Sequence, residues 1–224
     1  MAGEVEVDGQ RVDKAGSRVE REAKISVRER EPYVSRAGAK LSDALDAFGI
    51  DPKGWVCLDV GASTGGFTDC LLQRGAARVY ALDVGYGQLD ARLRADPRVV
   101  VMDRINARHL QPGDLPEPVD LITVDVSFIS LTKVVPALRP HLKPGALLLP
   151  MIKPQFEAGR GAVGKGGILR DETVREQVLA QRLQDFEAMG LEILGCIDNV
   201  VAGAGGNREA FALLREPADP GDDQ

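Results

Sequence analysis

Two residues of opposite charge close successive apolar runs in the second half of the chain: Asp125 follows Leu121-Ile122-Thr123-Val124, and Lys153 follows Met151-Ile152. If the two runs are neighbouring strands of one sheet, a carboxylate and an ammonium meet at its carboxyl edge. There the acid can orient the lysine for proton handling beside a bound ligand. Each also has a plainer reading, Asp125 as a turn-initiating acid before Ser127 and Lys153 as a solvated strand-end charge. Lys40, on the helix expected before the first strand, and Glu209, at the start of the last, are further candidates for the same edge, with an ordinary surface charge as the plainer reading of each. His109 and His141 stand too far from other ligand types to suggest a metal site or a catalytic dyad. Ser63, Ser127 and Ser130 lie outside any GxSxG turn, which leaves hydrolase chemistry unsupported.

A second constellation supplies a ligand. Leu58-Asp59-Val60-Gly61-Ala62-Ser63-Thr64-Gly65-Gly66-Phe67 is an apolar run that breaks into a Gly-rich turn and opens a helix. The dinucleotide fingerprint has glycines at its first, third and sixth positions; here those positions are Gly61, Ser63 and Gly66. The middle glycine exists so that backbone can approach a pyrophosphate. Its loss points to a nucleoside ligand without one, such as S-adenosylmethionine. Val79-Tyr80-Ala81-Leu82 ends in Asp83, 22 residues beyond Gly61 and near the spacing at which a carboxylate grips ribose hydroxyls. The expected cofactor contacts are therefore Asp59, Gly61, Ala62, Ser63, Thr64, Gly65, Gly66, Phe67, Asp83 and Asp125. Asp103, after Val99-Val100-Val101-Met102, is placed either to face the adenine edge or to cap the following turn. A nicotinamide dehydrogenase would use a similar fold, but the altered Gly pattern and the lack of a hydride-relay histidine disfavour it.

These residues need a scaffold. Ser35, then Ala39, Leu41, Ala44, Leu45 and Phe48, then Gly49 read as an N-capped amphipathic helix with a glycine stop. Strands are expected near 55–60, 78–83, 98–102, 120–125 and 146–152, with helices near 65–73, 87–95 and 130–139. Such alternation predicts an α/β fold with a parallel sheet. Pro144-Gly145 should turn the chain into the fifth strand, and Leu149-Pro150 suits a strand end. A Gly-rich loop over 154–170, a helix near 171–189 and strands near 191–198 and 209–215 complete the domain. Ahead of it, Val5-Glu6-Val7-Asp8-Gly9-Gln10-Arg11-Val12 alternates around Asp-Gly, a hairpin signal, and Ile25-Ser26-Val27-Arg28 continues the two-residue period.

Composition bounds the rest. At 224 residues and 44% hydrophobic content the chain can hold one α/β domain and a small β appendage. No apolar run approaches a membrane span, and the N-terminus lacks a signal-peptide core, so a cytoplasmic location is expected. Cys57, Cys70 and Cys196 lack CxxC spacing and read as reduced, packed thiols. The net charge of −6 conceals segregation: residues 139–170 sum to +5, a candidate RNA-facing surface, and residues 171–224 to −8. The acidic end, 217–224, is expected to be disordered.

Ser35-Arg36-Ala37-Gly38-Ala39-Lys40-Leu41, the loop from Asp59 to Phe67, Asp125-Val126-Ser127-Phe128-Ile129-Ser130, Ile152-Lys153-Pro154-Gln155-Phe156-Glu157 and Gly164-Lys165-Gly166-Gly167-Ile168-Leu169-Arg170-Asp171 together resemble the TlyA or hemolysin A family over nearly the whole chain. That family is similar to the FtsJ-type ribosomal RNA 2′-O-methyltransferases. The resemblance implies a Rossmann-like, seven-stranded S-adenosylmethionine-dependent methyltransferase fold over 33–216 and a partial S4-like RNA-binding module over 1–32, of which this chain holds the β half. It implies methylation of cytidine ribose in small- or large-subunit ribosomal RNA, with no membrane and no protein partner evident. The family's Lys-Asp-Lys-Glu tetrad falls on Lys40, Asp125, Lys153 and Glu209. Lys153 would then lie near the ribose 2′-oxygen, held by Asp125. Two alternatives stand beside it: a catalytically idle RNA-binding protein that retains the cofactor pocket, and a haemolysin-like activity, which the family name suggests although the sequence shows no lytic helix or membrane span.

Overall fold

The computed structural model describes residues 5–12, 14, 16–27, 32–159, 161–164, 166–200 and 206–218. The acidic tail from Asp219, Arg160 and Lys165 of the basic stretch, and Arg28 lie outside the described residues. The chain divides into two compact units, Met1–Pro32 and Tyr33–Gln224.

In the first unit β1 (Val5–Val7), β2 (Gln10–Arg11) and β3 (Ile25–Val27) form an antiparallel sheet in the order β2-β1-β3. Asp8 and Gly9 both take positive φ, 51° and 79°, as a two-residue turn matched to strand twist requires. Asp8 also accepts the Lys24 N–H at 2.9 Å, which fixes the return of the third strand.

The second unit is a seven-stranded sheet between two helical layers. Its elements in chain order are α1 (Arg36–Phe48), β4 (Val56–Val60), α2 (Gly66–Gln73), β5 (Arg78–Asp83), α3 (Ala91–Arg94), β6 (Val99–Asp103), β7 (Val119–Val124), α4 (Val135–Leu138), β8 (Leu142–Ile152), α5 (Pro154–Glu157), α6 (Glu172–Ala188), β9 (Glu192–Asp198) and β10 (Ala210–Arg215). The strand order is β6-β5-β4-β7-β8-β10-β9, parallel from β6 through β8, with β10 antiparallel to both its neighbours. Strand alternation separates two apolar cores. Leu58, Ile122, Leu148 and Ala212 belong to one, and their sequence neighbours Cys57, Leu121, Leu149 and Phe211 to the other. No helix among the described residues is long and apolar enough to cross a membrane.

Several expectations need correction. Ser35 occupies the position before α1 in extended conformation, yet its hydroxyl makes no capping bond; the Gly49 stop is present, at φ 66°. The helix expected over 130–139 is divided into a 3₁₀ turn at Leu131–Lys133, α4, and a second 3₁₀ turn at Arg139–His141. Pro136 and Pro140 lack the N–H donors a continuous helix would need there. The helix expected near 87–95 shrinks to α3, capped by Asp90, which accepts the Arg92 N–H. The Gly-rich loop expected from residue 154 opens instead with α5. β8 begins at Leu142, so Pro144-Gly145 lies within it, Gly145 taking φ 74°. Pro150 also lies inside β8, and the pairing with β10 passes over Leu149 and Pro150, where proline has no N–H to offer. Cys57 and Cys70 are buried but Cys196, on edge strand β9, is exposed. His141 is buried and His109 exposed.

α1 lies directly on α2 because two glycines face each other. A Cβ on Gly38 would stand 2.4 Å from Tyr33 side-chain atoms and 2.8 Å from the Gly66 carbonyl oxygen; one on Gly66 would stand 2.9 Å from the Gly38 nitrogen. Gly38→Ala therefore forces the two helices apart. We expect a loss of about 1–3 kcal/mol in urea unfolding, and an unchanged midpoint would show that the contact yields without cost.

Candidate active site

β7 and β8 are adjacent and parallel, so the residues that follow them share one edge of the sheet. Asp125 leaves β7 with its N–H donating to the Val60 carbonyl at 2.8 Å. Lys153 leaves β8 and precedes α5. Its Nζ lies 2.5 Å from Asp125 Oδ1 and donates to Ser127 Oγ at 3.0 Å. β10 runs the other way between β8 and β9, pairing Ala210 with Ile152, so its first residues return to the same edge. Glu209 is thereby set beside this pair with only 4% of its side chain exposed, and meets Lys40 Nζ from α1 at 2.7 Å. Gln155, on α5, donates to the other Glu209 oxygen at 3.3 Å. The four charges form two ion pairs in one cluster: Lys153, Lys40 and Glu209 all act on the Asp125 carboxyl. Burial pushes that carboxyl above the usual range, and the two lysines oppose the rise.

The cluster borders a cleft of about 500 Å³, lined by Gly61, Ser63, Asp83, Gln88, Asp125 and Ser127 among others. Asp83 ends β5 with Oδ2 accepting the Ser63 N–H at 2.8 Å and Oδ1 accepting the Gly85 N–H at 2.7 Å. Each oxygen keeps a further lone pair for a ligand hydroxyl. Ser63, where a dinucleotide site has glycine, holds φ 49°, a left-handed backbone at a non-glycine residue. Gly61 (φ 85°) is glycine for a reason internal to the protein: a Cβ there would stand 2.5 Å from the Asp125 carbonyl oxygen.

The remaining expected cofactor residues do not line the cleft. Asp59 is fully buried beneath it, accepting the Thr68 hydroxyl at 2.7 Å and the Thr123 hydroxyl at 3.3 Å, and so braces α2 and β7 against β4. Ala62, Thr64, Gly65, Gly66 and Phe67 build the turn and the start of α2 behind the cleft wall. Asp103 accepts the Gly87 N–H at 3.1 Å and pairs with Arg94 at 3.2 Å, so its carboxylate ties down the loop after β5 rather than the turn that follows it. The Gly87 N–H, with help from Arg94, holds its carboxyl below the usual range.

Among the described residues, the basic side chains of 139–170 do not gather at one end of β8. Arg139 is paired with Glu216 at 2.5 Å and Lys143 with Asp120 at 2.7 Å, toward the amino end of β8. Lys153 is at its other end, about 30 Å away at strand rise. Sequence reasoning passed over Ser127 after excluding a hydrolase, and missed Gln155 and Phe128. Ser127 and Gln155 stand two residues beyond Asp125 and Lys153, a spacing that could have flagged both. Phe128 is 89% exposed at the cleft with φ 64°, which nothing in its neighbours' types foretells.

A seven-stranded sheet whose last strand returns antiparallel, with a charged edge over a nucleoside-sized cleft, agrees with the family comparison: residues 33–216 match the FtsJ-like methyltransferase family, and the chain belongs to it. The 16S/23S rRNA (cytidine-2′-O)-methyltransferase TlyA of Mycobacterium tuberculosis is 44% identical over 220 residues, covering 97% of this chain and 82% of that protein. Hemolysin A of Brachyspira hyodysenteriae is 43% identical over 213 residues, covering 95% and 89%. A solved hemolysin-named structure from Lactococcus lactis superposes with a TM-score of 0.80 at 42% identity, covering 83% of this chain and 89% of that one. Within the FtsJ-like class, the chain is a member of the TlyA/hemolysin A family.

Burial drives the Asp59 carboxyl from 3.8 up to about 7, with the Thr68 and Thr123 hydroxyls resisting. A carboxyl that binds its proton more tightly when folded adds stability below its unfolded pKa and loses it as pH rises through the folded one. Asp59→Asn removes that loss. Relative to wild type, the variant should gain on the order of 3 kcal/mol between pH 5 and pH 8 in urea unfolding, whereas a pH-independent difference would refute the assignment.

Proposed function

We propose that this protein is an S-adenosylmethionine-dependent methyltransferase acting on a ribose 2′-hydroxyl of ribosomal RNA, with cytidine as the target nucleoside. The observation that carries the reading is the Lys153–Asp125 and Lys40–Glu209 cluster beside the cleft. A polar group set of that kind can handle a proton at a hydroxyl and has no acyl or phosphoryl chemistry built around it. The TlyA relative is named for this reaction. A substrate of this kind puts the protein in the cytoplasm, and an S4-like RNA-binding role for the first unit goes with it.

The cleft suits the cofactor. Its volume lies within the range of small-molecule sites, Asp83 offers carboxylate lone pairs for ribose hydroxyls, and the wall at Gly61 and Ser63 is backbone. Bound there, S-adenosylmethionine supplies an electrophilic methyl group. The protein's task is alignment and proton control, because a ribose hydroxyl is a weak nucleophile at neutral pH. Asp125 fixes Lys153, whose ammonium would offset the negative charge that grows on the 2′-oxygen as its proton passes to solvent at the open cleft and the new O–CH3 bond replaces the methyl's bond to sulfur, leaving a neutral thioether. Glu209 and Lys40 complete the ring, and Ser127 holds Lys153 from the other side. Phosphate contacts would come from basic side chains near this edge, since Arg139 and Lys143 are engaged elsewhere.

The test is transfer of labelled methyl from S-adenosylmethionine to small and large ribosomal subunits lacking the modification, with nucleoside analysis of the product. Label at a cytidine 2′-oxygen is expected. Lys153→Ala should lower the rate about 10²–10⁴-fold with cofactor titration unchanged, and near-wild-type transfer by that variant would overturn the assigned role.

A further inference from the structure

The segment after β7 and the segment after β8 are laced together by four contacts. Lys153 reaches Asp125 and Ser127, the Phe128 and Phe156 rings lie 4.7 Å apart, and Glu157 accepts the Leu131 N–H at 2.8 Å. The first three stand at the cleft mouth; the fourth lies behind it. There the Glu157 side chain is 2% exposed. Its second oxygen takes Arg182 Nη1 at 3.1 Å, and the same nitrogen donates to Ser130 Oγ at 3.0 Å. Arg182 is anchored in turn to Asp185 at 2.6 Å, one turn along α6.

A carboxylate buried to this degree is costly unless its charge and lone pairs are met, and here one oxygen is met by the Leu131 N–H of the segment after β7 and the other by Arg182 of α6. α5 has four residues, too few to hold itself as a helix, so the backbone that presents Lys153 depends on what secures the far end. On the other side, Phe128 keeps a strained left-handed backbone, which persists only where its loop is fixed at both ends. The Asp125 N–H to Val60 fixes one end and the Leu131 N–H to Glu157 the other.

We infer that Glu157 is a positioning residue: through the Leu131 N–H and Arg182 it holds the 125–131 loop and α5 at the separation that keeps Lys153 against Asp125 and Ser127. The inference rests on the methyltransferase reading for its effect on rate, but the clamp can be measured without the reaction. The polar partners of Glu157 are Leu131 and Arg182, neither of them in the tetrad, so it acts through Lys153.

The experiment compares Glu157→Ala, Glu157→Gln and wild type by steady-state methyl transfer to ribosomal subunits and by hydrogen–deuterium exchange of the segments 125–131 and 153–157. Glutamine keeps an acceptor for the Leu131 N–H within the same shape, and so serves as the folding-competent control. Glu157→Ala should lower kcat about 10- to 100-fold, leave the KM for S-adenosylmethionine within about twofold, and speed exchange in both segments together. Glu157→Gln, which keeps the Leu131 bond and loses the Arg182 ion pair, should show rate and protection between those of Glu157→Ala and wild type. A wild-type rate in Glu157→Ala, or faster exchange in α5 with 125–131 unchanged, would overturn the clamp. Equal losses in Glu157→Gln and Glu157→Ala would overturn the part assigned to the Leu131 bond. If wild-type protein itself transferred no methyl, the functional reading would fall, and the exchange comparison would still decide whether Glu157 joins the two segments.

Discussion

Four charges converge at one edge of the sheet, where burial raises the energy of any that stands alone. Taking an ammonium or a carboxylate out of water is tolerated only when an opposite charge lies within contact distance. Lys40 with Glu209 and Lys153 with Asp125 satisfy this in two steps, drawing on a helix, two parallel strands and a reversed one. The fold can be viewed as the arrangement that lets these four chain positions, 169 residues apart at their extremes, meet their counter-charges together. Without the antiparallel return of β10, Glu209 would begin at the far edge, and Lys40 would have no partner.

That return marks where sequence reasoning loses reach. Strand-helix alternation specifies parallel neighbours, since each crossover must pack back on the sheet, and β4 to β8 follow that pattern. Seven strands were legible from their apolar runs, although β8 begins four residues ahead of its run, and α6 was legible from its acidic start at Asp171 and Glu172 and its stop at Gly190. The Asp125–Lys153 meeting was legible too, conditional on adjacency. Nothing in local pattern says that a strand after α6 skips outward to β9 and then inserts back between β9 and β8. The placement of Glu209 beside Lys40 came from a resemblance, while its physical cause is this insertion. The 130–139 segment was misjudged for a simpler reason: apolar spacing outweighed two prolines in the reading, and backbone donors outweighed spacing in the protein.

The Gly-rich turn shows a second limit. Its motif was legible, but the pattern could not separate residues that face a ligand from residues that face the protein. Gly61 and Ser63 reach the cleft, whereas Gly65 and Gly66 make room for Leu93, Leu89, Ser35 and Ala37. Asp59 carries this further. An acid just before the turn invites assignment to a ligand, yet two threonine hydroxyls already claim it.

The Gly38–Gly66 contact has a consequence for anyone reshaping this enzyme. Lys40 rides on α1, and α1 is seated by bare backbone on the helix that begins at the cofactor turn. A swap of that turn that put a side chain at 66 would tilt α1, moving an ammonium that the graft never touched. Positions 33, 38 and 66 are thus coupled to the tetrad through the seat of α1, so a change at any of them reaches Lys40.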